Sequence, residues 1–244
     1  MDILNIVLLL INLLIVCLLL ITYKKLRDWL VKIKTSLYAI PTNQKNIESL
    51  FALYNSIDLE EPIMQFDGFT GSPEFLHNIL LQIKKYRPMN IVELGSGIST
   101  IIIGKYLKKI GYGKLISFEH IEKFYQNTNH EIKQHNLNEV CKCILSPLET
   151  ITIETNSYNW YSIPSSTFID DKIDILIVDG PPIYSSENES RFPALPQLYD
   201  SLSNNSIIII DDAKRKDEKN MVDHWKSIYS NLEVDYFPLD RGLF

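Results

Sequence analysis

Hydrophobic positions fall into three regimes along the chain. From Ile3 to Thr22 they are almost continuous, broken only by Asn5 and Asn12. Between there and Tyr86 they recur at helical spacing, and beyond Met89 short apolar runs alternate with amphipathic stretches. About twenty apolar residues rise about 30 Å as a helix, enough to cross a bilayer core. A buried soluble helix would keep a polar side, and this segment has none. No Lys or Arg precedes the run and no small-x-small site follows it, so it reads as an uncleaved anchor rather than a signal peptide. Val16 stands where a lipoprotein-type Cys17 would want a small residue.

The segment to Ile40 reads as a basic amphipathic helix near headgroups or, equally, as a solvated extension of the anchor. Pro41 and Asn43 predict a break. Helical spacing resumes through Ile47, Leu50, Phe51, Tyr54 and Ile57, and an acid-rich loop runs to Gly71. Ser72, Pro73 and Glu74 supply an N-cap, a first-turn proline and a first-turn acid for a helix that Arg87-Pro88 ends. Five strands then alternate with helices: Met89 to Leu94, Lys114 to Glu119, Val140 to Leu145, Ile173 to Val178 and Ser206 to Ile210. The helices between and after them are Ser99 to Ile110, Glu122 to Asn136, Phe192 to Leu202 and Asp217 to Tyr229. This alternation predicts an α/β fold, a doubly wound, mostly parallel Rossmann-like sheet with helices on both faces, preceded by one transmembrane helix. Thr150 to Asp171 is expected as a long loop whose Tyr158, Trp160 and Tyr161 either close over an acceptor or lie on the surface. The tail from Leu232 is expected as an antiparallel pair. The implied domains are 1–23 as anchor, 24–71 as a juxtamembrane basic helix and helical extension, and 72–244 as the α/β domain.

The 244 residues suffice for one such domain with a full core. Lys24, Lys25, Arg27, Lys32 and Lys34 follow the anchor against a single Asp28, so the large C-terminal part is expected in the cytoplasm. A formal net charge of -6, without a basic face interleaved with aromatics, argues against a nucleic-acid partner. Cys141 and Cys143 share a face of one strand and read as core thiols. His77, His130, His135 and His224 lack ligand spacing and read as surface residues.

Ligands of doubly wound sheets bind beyond the carboxyl ends of the strands. Here every end is polar: Glu93-Leu94-Gly95-Ser96-Gly97, Glu119-His120, Ser146 to Glu149, Asp179-Gly180-Pro181-Pro182, and Asp211-Asp212. The glycines remove steric bulk at a turn that opens a helix, where unpaired N–H groups await a ligand. Glu119, about twenty residues on, sits where a carboxylate accepts both hydroxyls of a ribose. The dinucleotide fingerprint wants a third glycine where this chain has Thr100.

The motifs VELGSG, SFEH, ILIVDGPP, RFPALPQL and IIIIDDA, in this order, resemble a class I S-adenosylmethionine (SAM) methyltransferase over roughly residues 70–244. The resemblance implies that Gly95 and Gly97 approach the cofactor's amino-acid end, with Ser96 and Ser99 in the same site. It implies that Glu93 organises that end, that Glu119 holds the ribose, and that His120 and Ser146 lie near the adenine. Asp179, Asp211 and Asp212 resemble the acids of metal-dependent O-methyltransferases, which implies Mg²⁺ and gives Asp179 and Asp211 catalytic roles. The competing reading is that Asp179 caps a turn and Asp212 a helix. The base expected after the strand-four acid is absent, the positions being Gly180, Pro181 and Pro182. Lys214, Arg215 and Lys216 either contact an anionic substrate or form a solvated helix start.

The expected activity is O-methylation of a small-molecule or lipid-linked glycan acceptor by a single-pass membrane enzyme. An NAD-dependent oxidoreductase, disfavoured by Thr100 and by the lack of a Tyr-x-x-x-Lys pair, and a catalytically silent scaffold are the alternatives.

Overall fold

The computed structural model describes residues 2–58, 71–168, 171–182 and 190–244. The acid-rich loop expected before Gly71 lies almost wholly outside the described residues, as does part of the stretch before Asp171. Two compact units are present, Met1–Lys45 and Asn46–Phe244.

The first unit is helical throughout, within helix α1, Ile3–Ser56. Its residues from Asp2 to Ser36 are exposed, and the stretch Ile3–Ser36 is long and apolar enough to cross a membrane. The break predicted at Pro41 is not there: α1 runs through it. A proline removes one N–H and one intrahelical bond, a loss a helix can absorb as a kink rather than an end.

The second unit is a three-layer α/β domain. Ser72 accepts the Phe75 N–H at 3.2 Å to start α2, Pro73–Tyr86, and Arg87 ends it in the left-handed region at φ 52°. Then follow β1 (Asn90–Leu94), α3 (Ile98–Ile110), β2 (Lys114–Glu119), α4 (Glu122–Gln134) and β3 (Cys141–Leu145). A hairpin of β4 (Leu148–Ile153) and β5 (Asn156–Tyr161) precedes β6 (Ile173–Val178), α5 (Ala194–Leu198), β7 (Leu202–Ile210) and α6 (Lys216–Ile228). The five-stranded sheet is parallel throughout, in the order β3-β2-β1-β6-β7. β1 is central, so the strand order reverses on either side of it, and the crevice there receives the ends of β1, β2 and β6.

Alternation along the strands builds two cores. Ile91, Ile175, Ile177 and Ile209 face the layer containing α2 and α3. Val92, Leu94, Leu176, Val178 and Ile210 face the layer with Phe192, Leu195 and Trp225. Strand β6 is buried on both faces, as its unbroken IDILIV implies. Cys141 and Cys143 are core thiols as expected, and burial pushes Cys143 up to about 12.

Further expectations need correction. Thr150 to Asp171 is largely ordered: β4 pairs antiparallel with β5 around a two-residue turn in which Glu154 has φ 54°. Its aromatics do not lie on the surface, for Tyr158, Trp160 and Tyr161 are all buried. Tyr158 stacks on Phe192 at 5.4 Å. The period-2 alternation of LETITI and NSYNWY is the physical reason. The helix expected over Phe192 to Leu202 shrinks to α5 plus a 3₁₀ turn, Tyr199–Ser201, and β7 begins at Leu202. Pro193 and Pro196 leave few N–H groups to propagate it. His135 is buried at the end of α4, 3.4 Å from Glu131, rather than on the surface.

The tail is not a strand pair among the described residues. Phe244 exchanges two backbone hydrogen bonds with Ile210, at 2.9 and 3.2 Å, and Leu243 bridges Phe237.

Candidate active site

The turn after β1 is set by backbone packing. Gly95 has φ 101°, and a Cβ there would stand 3.4 Å from the Gly180 nitrogen. The N–H groups of Asp179 and Gly180 both donate to the Leu94 carbonyl, at 3.1 and 2.7 Å. The ends of β1 and β6 therefore meet backbone to backbone, and the left-handed φ of Gly95 is what calls for glycine at this turn.

Glu93 lies beneath this turn with no exposed surface. Its Oε2 accepts the hydroxyls of Thr100 at 2.6 Å and Ser117 at 2.5 Å, while Oε1 has no hydrogen-bond partner among the described residues. Burial raises its carboxyl to about 7, against the Ser117 and Thr100 hydroxyls on Oε2 and the neighbouring Ser99 hydroxyl, and the charge of Asp179 adds to the rise. Thr100 also accepts the Gly97 N–H at 3.2 Å, so one hydroxyl ties the turn to the acid below it. The residue that departs from the dinucleotide fingerprint is thus a working part of this loop.

Glu119, at the end of β2, reaches the same turn. Its Oε1 accepts the N–H groups of His120 and Ile121, each at 2.9 Å, and its Oε2 accepts the N–H and the hydroxyl of Ser96, each at 3.1 Å. Burial alone would raise this carboxyl, but hydrogen bonds from His120, Ile121 and Ser96 outweigh it and hold Glu119 below its ordinary value. Ser96 has a second partner in Thr128, at 3.0 Å. The His120 ring meets Tyr161 edge-on at 5.8 Å. Ser146, expected beside an adenine, spends its hydroxyl on the Ser162 carbonyl at 2.9 Å and so clasps β5 to the end of β3.

At the ends of β6 and β7, Asp179, Asp211 and Asp212 bring carboxylate oxygens within 4.8 Å of one another. Asp211 is buried, and its Oδ2 has no hydrogen-bond partner among the described residues. Burial, then the charges of Asp179 and Asp212, push Asp211 up to about 7. Asp179 is raised first by burial and then by Asp212, against the arginines 191, 241 and 215.

Arg191 is the residue that sequence reasoning missed here. It is buried, lies 3.4 Å from Asp212 Oδ2 and 3.8 Å from Asp179 Oδ1, and donates to the carbonyls of Asp179, at 2.5 Å, and Asp211, at 3.4 Å. It therefore staples the ends of two strands while balancing their acids. Arg215 takes Asp212 at 2.9 Å, which makes Asp212 the most committed of the three carboxylates. Of the basic trio after Asp212, Arg215 is accordingly an internal ion-pair partner rather than a free contact for an anion. An arginine opening the apolar run RFPALPQL was the available signal, since a guanidinium drawn into the core with that run is too costly to keep unpaired.

A parallel sheet in the order β3-β2-β1-β6-β7, with a glycine turn after its central strand and acids at the strand ends, is a Rossmann-like α/β domain. Residues 92–213, half of the chain, match the family profile of a methyltransferase domain, and the chain belongs to that family. No curated protein sequence matches it. Among solved structures it is similar to a methyltransferase from Podospora anserina with SAH bound, at 13% identity and TM-score 0.54, over 81% of this chain and 85% of that one. It is also similar to the O-methyltransferase TomG of Streptomyces achromogenes, solved with SAM, at 10% identity and TM-score 0.51 over 71% and 78%. An O-methyltransferase from Bacillus cereus solved with SAH follows, at 13% identity and TM-score 0.50 over 85% and 93%. At these identities the likeness is one of fold.

Proposed function

We propose that this chain is a SAM-dependent methyltransferase that O-methylates a hydroxyl of a small-molecule or lipid-linked glycan acceptor. Residues 1–23 anchor it in a membrane, 24–71 form the juxtamembrane extension, and 72–244 work on the cytoplasmic side. The observation that carries the reading is the paired set of acids under one glycine turn. Glu119 reaches the turn from β2 with its charge held on, and Glu93 lies beneath with one buried oxygen unpartnered. An ammonium group, such as the one on the cofactor's methionine end, is the partner that such an oxygen lacks. The ribose diol would take Glu119 Oε2 from the Ser96 hydroxyl, which has Thr128 to turn to.

The reaction is a single displacement. The acceptor oxygen forms a bond to the methyl carbon, the carbon–sulfur bond breaks, and its electron pair stays on sulfur. The acceptor's proton leaves to a carboxylate, for which Asp179 and Asp211, at the ends of β6 and β7, are the candidates. Asp211, poised near neutrality, is suited to taking it.

The donor set fits a hard divalent cation such as Mg²⁺, because three carboxylates converge and Asp211 Oδ2 lacks a partner. Asp179 and Asp211 would hold it instead of taking the proton, with Asp212 already shared between two arginines. When bound, such an ion supplies positive charge that acidifies a hydroxyl.

Calorimetric titration of the full chain in detergent with SAM, and separately with NADH, tests the reading. SAM is expected to bind with Kd on the order of 1–100 μM, NADH not at all. Binding of NADH alone would make the protein an oxidoreductase. Binding of neither by a folded protein would leave a scaffold.

A further inference from the structure

The long helix α1 carries a seam. Asn5 and Asn12, the two polar residues of its apolar segment, are seven residues apart, and Leu19, Leu26 and Ile33 continue at the same interval. Leu9, Val16, Tyr23 and Leu30 interleave with them at alternating spacings of three and four. In the sequence the same spacing continues through Leu37 and Ile40. This is the a/d repeat of a left-handed helical pair, with the asparagines at d positions. Within the greasy segment apolar residues occupy every face, so there the two asparagines alone mark the seam. Beyond Tyr23 the faces differ: Leu26, Leu30 and Ile33 lie on the seam, whereas Lys24, Lys25, Asp28 and Lys32 lie off it.

All the apolar seam residues from Leu9 to Ile33 are exposed, between 36% and 65–66% of their surface. At roughly 100 Å² for each half-exposed large side chain, the seam offers roughly 700 Å² per helix, close to the ~800 Å² that one partner gives a standard interface.

We propose that the seam is covered by a second copy of this chain, packed in parallel and in register. The requirement of the asparagines selects this occupant. Acyl chains offer an amide side chain no hydrogen bond, whereas in a parallel pair each asparagine meets its own counterpart across the seam, twice in succession. Flanking charge agrees: parallel pairing brings Arg27 beside Thr22 and Lys34 beside Trp29 of the other helix, so no two like charges meet. The apolar half of the seam rests on the membrane reading given above; the half beyond Tyr23 does not.

Oxidative crosslinking of the full chain in native membranes tests it, in a Cys17→Ser background that removes the one exposed thiol. Leu26→Cys and Ile33→Cys are expected to crosslink at least about fivefold more than Lys25→Cys and Lys32→Cys, which lie off the seam. Equal crosslinking around the helix overturns the proposal. Combining Leu26→Cys with Asn5→Leu and Asn12→Leu is expected to cut the crosslinked fraction severalfold, and an unchanged fraction overturns the role of the asparagines. Alkaline extraction of the same membranes reports anchoring independently, so a failed anchor and a failed seam are told apart.

Discussion

Glu119→Gln separates holding the turn from binding a cofactor. The carboxylate accepts four hydrogen bonds, from the N–H groups of His120, Ile121 and Ser96 and from the Ser96 hydroxyl. Glutamine keeps one carbonyl and must face the other pair with an NH₂ group, so donors confront donors. Losing two charge-assisted bonds at ~1.5–3 kcal/mol each, with some relief from reorientation, predicts a net destabilisation of ~2–4 kcal/mol at pH 7. Glu119 titrates below its ordinary value of 4.5 in the folded state, so its stabilisation is fully present above pH 4.5 and disappears as pH falls through the lowered folded value. The gap between parent and variant in denaturant unfolding is therefore expected to be full at pH 7 and to close in strong acid. SAM affinity is expected to fall about 100-fold or more, because the vicinal diol loses its paired acceptor. Calorimetry at pH 7 measures that fall. A variant that is destabilised as worked but binds SAM within about threefold of the parent would refute the ribose assignment and leave Glu119 a turn clamp only. A stability gap that does not shrink as the pH is taken into strong acid would refute the claim that charge is the source.

Thr100→Val removes the hydroxyl that ties Gly97 to Glu93 at nearly constant volume. It is expected to destabilise by ~2–3 kcal/mol and to weaken SAM about tenfold, by unfolding titration and calorimetry. Asp211→Asn has the opposite sign for stability: a carboxyl raised to about 7 costs stability increasingly as pH rises from its ordinary range through 7, so the variant is expected to be more stable than the parent at pH 8, by the order of 2 kcal/mol, with the advantage gone at pH 4. The same substitution is expected to abolish methyl transfer and any rise in Tm on adding Mg²⁺.

Where the sequence was legible, one local signal carried the structure. The Ser72-Pro73-Glu74 start of α2, the apolar run of β6 and the glycine turn after β1 each follow from residues adjacent in the chain, and each is found where the pattern puts it. The acids at the strand ends were legible for the same reason, since a parallel strand delivers its last residue to the crevice whatever its neighbours are. What stayed hidden depends on partners distant in sequence. Thr100 looks like a failed glycine until Glu93 is seen beneath it. Ser117 is an unremarkable strand residue until its hydroxyl meets the same carboxylate from the neighbouring strand. The hairpin carrying Tyr158 and Trp160 was hidden differently: its alternation is visible, but its polar partners Glu149, Thr150 and Thr152 make it resemble a surface loop unless the aromatic positions are given a face.

Arg191 shows why an acidic cluster cannot be judged from its acids alone. Asp179, Asp211, Asp212 and Glu218 would carry four charges into a largely buried volume, where Arg191 and Arg215 pair with them directly and Arg241 acts on Asp179 from further off. The remainder is met in part by protonation, which is why Asp211 is raised, while Asp212 is the carboxylate that both guanidiniums hold. A bound divalent cation and a proton are then alternative answers to the same deficit. A cation that binds must displace the proton from Asp211, so its affinity should rise about tenfold for each pH step below 7 and level off above it. Binding of Mg²⁺ with no dependence on pH between 5 and 7 would mean that the ion does not use Asp211.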